Sequence, residues 1–108
     1  LGRTPDDAVL VTSLPSPSVA RLVSVMNRES NNHYAEQLFR NAARGPRRDQ
    51  PGSAEHAYQT LREFLESRVG VTPGQVVATD GSGLSVLDRV TPRALVQLMA
   101  SAHRAPWG

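Results

Sequence analysis

Ser30, Asn31 and Asn32 stand in a row between two amphipathic patterns, inside Glu29-Ser30-Asn31-Asn32-His33-Tyr34-Ala35-Glu36. Two chemistries fit. Ser and Asn side chains cap helices by accepting hydrogen bonds from unpaired backbone N–H groups. Alternatively Ser30 and Asn32, two apart, aim a hydroxyl and a carboxamide into one cleft. A second stretch, Asp80-Gly81-Ser82-Gly83-Leu84-Ser85, is glycine-rich, and glycine admits positive φ or close approach to a ligand. Its spacing matches neither G-x-G-x-x-G nor the P-loop, and it contains no Lys. Gly83-Leu84-Ser85 is not a G-x-S-x-G elbow. Asp80, Ser82 and the three histidines invite a triad, but nothing in the sequence brings a His beside Ser82 or Ser85. From the residues alone, the loop reads as an irregular turn.

The elements that must position these stretches follow from periodicity and caps. Ala8-Val9-Leu10-Val11-Thr12 is a short β-branched run that predicts a buried strand. Ser16-Pro17 predicts a helix start, Ser as N-cap and Pro at the first helical position. Val19, Leu22, Val23 and Met26 follow helical spacing, to about Arg28 or Glu29. Beyond the corner, Tyr34, Ala35, Leu38, Phe39 and Ala42 share one face of a second helix that stops near Arg44-Gly45-Pro46. Arg47 to Gly52 reads as a charged loop. Ser53 caps a third helix with an apolar stripe of Ala57, Tyr58, Leu61, Phe64, Leu65 and Val69, ended by Gly70. Val71 to Gly74 reads as a turn and Gln75 to Thr79 as a second strand. Thr91-Pro92 opens a last helix with Leu95, Leu98, Met99 and Ala102 on its buried face.

The fold class is therefore α+β. Two strands make no stable sheet alone, so either they pair under four helices or strands outside these residues complete the sheet. The chain has 108 residues and 39% apolar residues, near the size of one domain. Net charge is +2, and the basic residues are 12 arginines with no lysine. Only Arg44 to Arg48 cluster, in a Gly/Pro loop without an aromatic for base stacking, which argues against a nucleic-acid partner. Absent cysteine excludes disulfides, a thiol nucleophile and thiolate metal sites. His33, His56 and His103 have no close ligand spacing, so neither metal nor cofactor is expected. No apolar run approaches the ~18–20 residues that span a bilayer. No signal-peptide pattern is present, and since the chain begins at Leu1 its natural start is expected elsewhere.

Ser16-Pro17-Ser18-Val19, followed by Met26-Asn27-Arg28-Glu29-Ser30-Asn31-Asn32-His33-Tyr34-Ala35-Glu36-Gln37-Leu38, resembles the core of the class C low-molecular-mass penicillin-binding proteins. These are serine D-alanyl-D-alanine carboxypeptidases and endopeptidases. Asp80 to Ser85 is similar to that family's second hallmark, at a plausible distance and before a helix. The resemblance spans about Ala8 to Ala102. It implies a transpeptidase-like fold, a helical subdomain on a five-stranded sheet with the active site between them. The family works with Ser-x-x-Lys, Ser-x-Asn and Lys-Thr-Gly. Ser30-Asn31-Asn32 matches the second. By that carry-over Ser30 relays a proton toward the leaving D-Ala amine, and Asn32 hydrogen-bonds the substrate peptide carbonyl and holds the general-base lysine. Leu84 lines the substrate pocket, and Asp80, Gly81, Ser82, Gly83 and Ser85 shape its edge.

Two features depart from the pattern. Val86 stands where many relatives carry Arg. More consequentially, a chain without lysine holds neither the Ser-Lys nucleophile pair nor Lys-Thr-Gly, and acyl transfer needs an activated serine. Residues 1–108 are therefore expected to be the central part of one domain, with the nucleophile upstream and Lys-Thr-Gly downstream. The partners implied are peptidoglycan stem peptides, β-lactams as acylating inhibitors and the remaining segments of the same enzyme, in an extracytoplasmic location. The alternative is a non-catalytic helical interaction module or a degenerate homologue.

Overall fold

The computed structural model describes residues 4–44 and 52–106. Four helices, numbered in chain order, span Val19–Glu29 (α1), Asn32–Ala42 (α2), Ala54–Phe64 (α3) and Pro92–Arg104 (α4). Each starts where a short polar side chain accepts from a free backbone N–H. Ser18 takes that of Arg21, Asn31 that of Tyr34, Ser53 that of His56 and Thr91 that of Ala94. A cap of this kind contributes about 1 kcal/mol.

Several expectations need correction. Ser18, not Ser16, caps α1, which begins at Val19. Pro17 therefore precedes the cap instead of occupying the first turn, and both serines carry the same capping chemistry. The third helix does not run uniformly to Gly70. A π-helical turn, Leu65–Val69, follows α3 and is closed by Gly70 at φ 79. Left-handed backbone suits a residue without Cβ. The turn shifts the helical register, and Phe64, expected in the apolar stripe, is 42% exposed.

The largest correction concerns Ala8–Thr12. These residues form no strand, and Val9 and Val11 are 85% and 93% exposed. A β-branched run becomes a strand only where a neighbour takes up its N–H and C=O groups, and no described strand pairs with it. The sheet is instead an antiparallel pair of Val76–Val77 (β1) and Arg89–Val90 (β2), in the register Val76 with Val90 and Val77 with Arg89. The N–H of Thr91 donates to the Gln75 carbonyl at 3.0 Å and extends the ladder. The expected strand Gln75–Thr79 thus shrinks to its centre, and its partner lay in a stretch without a strand signal. Of the expected charged loop Arg47 to Gly52, residues 47–51 lie outside the described residues, as do residues 45 and 46 of the expected helix stop.

The core is small. Leu65, Val71 and Ala94 are buried together, with Leu61, Val69, Val76 and Leu98 packed around them. Two long-range bonds brace it: the Tyr58 hydroxyl donates to the Val76 carbonyl at 3.2 Å, and the Gln97 amide donates to the Gly70 carbonyl at 3.1 Å. Helix α2 packs on both α1 and α3. The layers place the end of α1, the start of α2 and the loop after β1 side by side.

Candidate functional site

Only Ser30 and Asn31 separate α1 from α2, so the chain must reverse within two residues. Ser30 does this at φ 50 and ψ 45, the only non-glycine residue with positive φ among the described residues. For a residue with a Cβ this conformation costs about 1–2 kcal/mol. Strained backbone of this kind gathers at functional sites, where the surrounding structure holds it. The next N–H, that of Asn31, returns to the Met26 carbonyl at 3.0 Å and closes α1.

The corner divides its labour. Asn31 supplies the cap: its Oδ1 accepts from the Tyr34 N–H at 3.0 Å, and the residue is half-buried. Ser30 and Asn32 are both exposed, and among the described residues neither side chain is hydrogen-bonded to another protein group. The two readings of the sequence thus belong to different residues. Asn31→Ala is expected to lower stability by about 1 kcal/mol, read as a drop in denaturation midpoint.

Ser30 and Asn32 open into a cleft of ≈ 340 Å³ that is lined also by Met26, Asn27, Asn31, Ala35, Gly81 and Ser82. The structure therefore brings Ser30, Asn32, Gly81 and Ser82 to one cavity. Asp80, Gly83, Leu84 and Ser85 do not line it. Leu84, expected in the pocket wall, is 71% exposed, and Gly83 borders an apolar groove on the other side. Gly83 carries φ 75, so it serves the loop's turn.

Asp80 shapes the loop from behind. Its Oδ1 accepts the Gly83 N–H at 2.7 Å, and its Oδ2 accepts the Ser85 N–H and the Ser82 hydroxyl, each at 3.0 Å. Partial burial pushes the Asp80 carboxyl up, but the Gly83 N–H, the Ser82 hydroxyl and the Ser85 N–H together hold it below its usual 3.8. A carboxyl so depressed stabilises the fold above its unfolded pKa, and the contribution fades as pH falls through the folded value. The Asp80 contribution should therefore be constant from pH 8 to about 5 and fade only below about 3.8. Asp80→Asn should lose stability at neutral pH, and its difference from the parent should shrink below that value. Thermal melts from pH 3 to pH 7 check this. A second aspartate closes the far side, where Asp88 Oδ1 accepts the N–H and hydroxyl of Thr79 at 2.7 and 2.8 Å.

One residue missed by sequence reasoning holds the loop against α2. Glu36 Oε2 accepts the Gly81 N–H at 2.7 Å, and its Oε1 pairs with Arg40 at 2.5 Å. The i,i+4 spacing of Glu36 and Arg40 was a readable signal for the ion pair; nothing local signalled the bond to Gly81. A Cβ on Gly81 would lie 2.7 Å from the Ala35 carbonyl oxygen and closer still to Phe39 Cβ. This glycine is needed for close packing of loop on helix, not for its φ.

Among the described residues the cleft offers the free Ser30 hydroxyl, the free carboxamides of Asn27 and Asn32 and the Ser82 hydroxyl, and no lining residue carries an ionisable side chain. It can bind and orient a polar ligand and pass a proton through a hydroxyl, but it supplies no base. None of the histidine rings is hydrogen-bonded to Ser82 or Ser85, so no triad forms among the described residues; His33 lines a separate groove with Tyr34 and Leu38. Nor do three His, Asp or Glu side chains group as metal ligands there.

The model of the D-Ala-D-Ala carboxypeptidase 3 (S13) family matches residues 1–108. The D-alanyl-D-alanine carboxypeptidase of Actinomadura sp. (strain R39) is 31% identical over 101 residues, 94% of this chain and 18% of that relative. The chain thus spans under a fifth of the curated relative's length. No solved structure matches it.

Proposed function

The chain belongs to the D-Ala-D-Ala carboxypeptidase 3 (S13) family, and from that premise we propose that it forms one wall of the active site of a serine D-Ala-D-Ala carboxypeptidase or endopeptidase. The observation that carries the reading is the cleft in which the unpartnered side chains of Ser30 and Asn32 face Gly81 and Ser82. The substrate would be a peptidoglycan stem peptide, extracytoplasmic, and β-lactams would acylate the same site.

In this reading Asn32 donates to the substrate's peptide carbonyl and accepts from a lysine supplied by another segment. Ser30 accepts a proton from that lysine and donates one to the leaving D-Ala nitrogen, so that charge does not build on the amine. The nucleophile lies outside residues 1–108, since these contain no lysine to activate a serine. Ser82, held by Asp80, lines the opposite edge.

The same division of the domain accounts for an open apolar face. A groove of ≈ 410 Å³ is lined by Leu61, Leu65, Val76, Ala94, Leu95 and Leu98, beside Val90, Val96 and Met99 at 51%, 67% and 70% exposure. Strands from the rest of the same protein would cover this face and extend the β1–β2 pair.

Release of D-Ala from a D-Ala-D-Ala-terminated peptide by the full-length protein tests the proposal. The expected result is steady release, with progressive loss on preincubation with penicillin. A folded full-length protein that releases no D-Ala and binds no penicillin would overturn it. It would also favour the second reading, a degenerate or purely structural homologue, which the missing lysines support.

A further inference from the structure

We infer that Glu36 is a positioning residue that sets the width of the cleft. The inference rests on the reading above, that Ser30 and Asn32 face the substrate. Helix α2 carries Asn32 in its first turn and Glu36 one turn later, so both lie on the same side of the helix. The Glu36 carboxylate spends one oxygen on Arg40 and the other on the Gly81 N–H. Gly81 is itself a wall of the cleft, opposite Ser30 and Asn32. One side chain therefore joins the two walls, bridging residues 45 apart in sequence.

Geometry makes this tie hard to replace. The Glu36 side chain is only 22% exposed, whereas that of Arg40 is 43% exposed, so the carboxylate is the shielded partner. Gly81 sits against Ala35 and Phe39 with no room for a side chain, so its backbone N–H approaches the helix at one height only. A hydrogen bond to a charged acceptor is among the stronger kinds. Without it the loop would rest on van der Waals contact alone, and Ser82 would drift relative to Asn32. Misplacement by about 1 Å can cost about 10²-fold in rate.

Length and charge of the Glu36 side chain separate this role from a merely structural one. Glu36→Gln keeps an acceptor oxygen at the same reach but gives up the ion pair. Glu36→Asp keeps the charge but falls one methylene short of Gly81. In the full-length protein, labelled penicillin gives the acylation rate constant and the non-covalent affinity separately, alongside Tm. Glu36→Gln and Arg40→Ala should acylate within about threefold of the parent, while Glu36→Asp should slow by about tenfold or more in the acylation step. Acylation by Glu36→Asp at the parent's rate, or Glu36→Gln falling as far as Glu36→Asp, would overturn the inference. So would losses that follow Tm across all three variants. A parent protein that takes no label overturns instead the active-site reading beneath it.

Discussion

Asn32→Ala in the full-length protein is expected to slow acylation by labelled penicillin by about 10²–10³-fold, the usual cost of removing one preorganised hydrogen-bonding group from a reacting centre. Its Tm should barely change. Asn32 is exposed and its carboxamide has no partner among the described residues, so truncation orphans no buried group. Exposed substitutions of that kind stay within about 0.5 kcal/mol. Ser30 gives a sharper version of the same separation. Its backbone is left-handed, so Ser30→Gly removes both the hydroxyl and the Cβ that makes the conformation costly. Relief of that strain offsets the greater freedom of glycine in the unfolded chain, and stability should stay within about 1 kcal/mol of the parent. Acylation should still fall about 10²-fold or more, because the proton relay is gone. Stopped-flow acylation and thermal melts on the same samples read both quantities. Rates within about threefold of the parent in both variants would remove Ser30 and Asn32 from the reaction.

Gly81→Ala is expected to be among the most damaging single-methyl additions in the segment. The new Cβ meets Phe39 and the Ala35 carbonyl oxygen, both held by the helix. Relief requires the loop to lift from α2, which also breaks the Gly81 N–H bond to Glu36. Overpacking costs about 1–3 kcal/mol, and losing a hydrogen bond to a charged group adds about 1.5–3 kcal/mol. A loss of about 3 kcal/mol is therefore expected, with acylation impaired even where the protein remains folded. Gly83→Ala is the control. Nothing lies within 4 Å of its would-be Cβ, and only its φ of +75 resists substitution. That variant should lose about 1–2 kcal/mol and leave acylation near the parent's, since Gly83 lies outside the cleft. Denaturant unfolding orders the two; equal losses would mean that the close approach of loop and helix has no energetic weight.

Local signals carried most of the helical framework. Ser53, Thr91-Pro92 and Gly70 each bear the capping or stop chemistry that their backbone uses, because such bonds join neighbours in sequence. Ser16 and Ser18 share that chemistry, and only the finished backbone tells them apart. The sheet was less legible. An apolar β-branched run at Ala8–Thr12 says nothing about whether a partner strand exists, while Arg89–Val90 is too short for alternation to show. The π-helical turn at Leu65–Val69 left no trace in composition or spacing.

The candidate site follows the same division. Ser30, Asn31 and Asn32 were recognisable as a unit, yet only the folded backbone assigns the cap to Asn31. Asp80 to Ser85 read correctly as a turn, and the structure adds which side faces the cleft: Gly81 and Ser82 do, Leu84 does not. Glu36 was visible as a letter in the motif, but its bond to Gly81 is a tertiary contact that no local pattern encodes.

The central claim is that Ser30 and Asn32 form one wall of a serine acyl-transfer site completed from outside this segment. Labelled penicillin, reacted with the full-length parent and with Ser30→Gly and then mapped by proteolysis, tests it most directly. The expected result is label in the parent on a serine outside residues 1–108, within a Ser-x-x-Lys sequence, and slowing by about 10²-fold in the folded variant. Label on a serine within residues 1–108, or equal labelling rates in the two proteins, would contradict it.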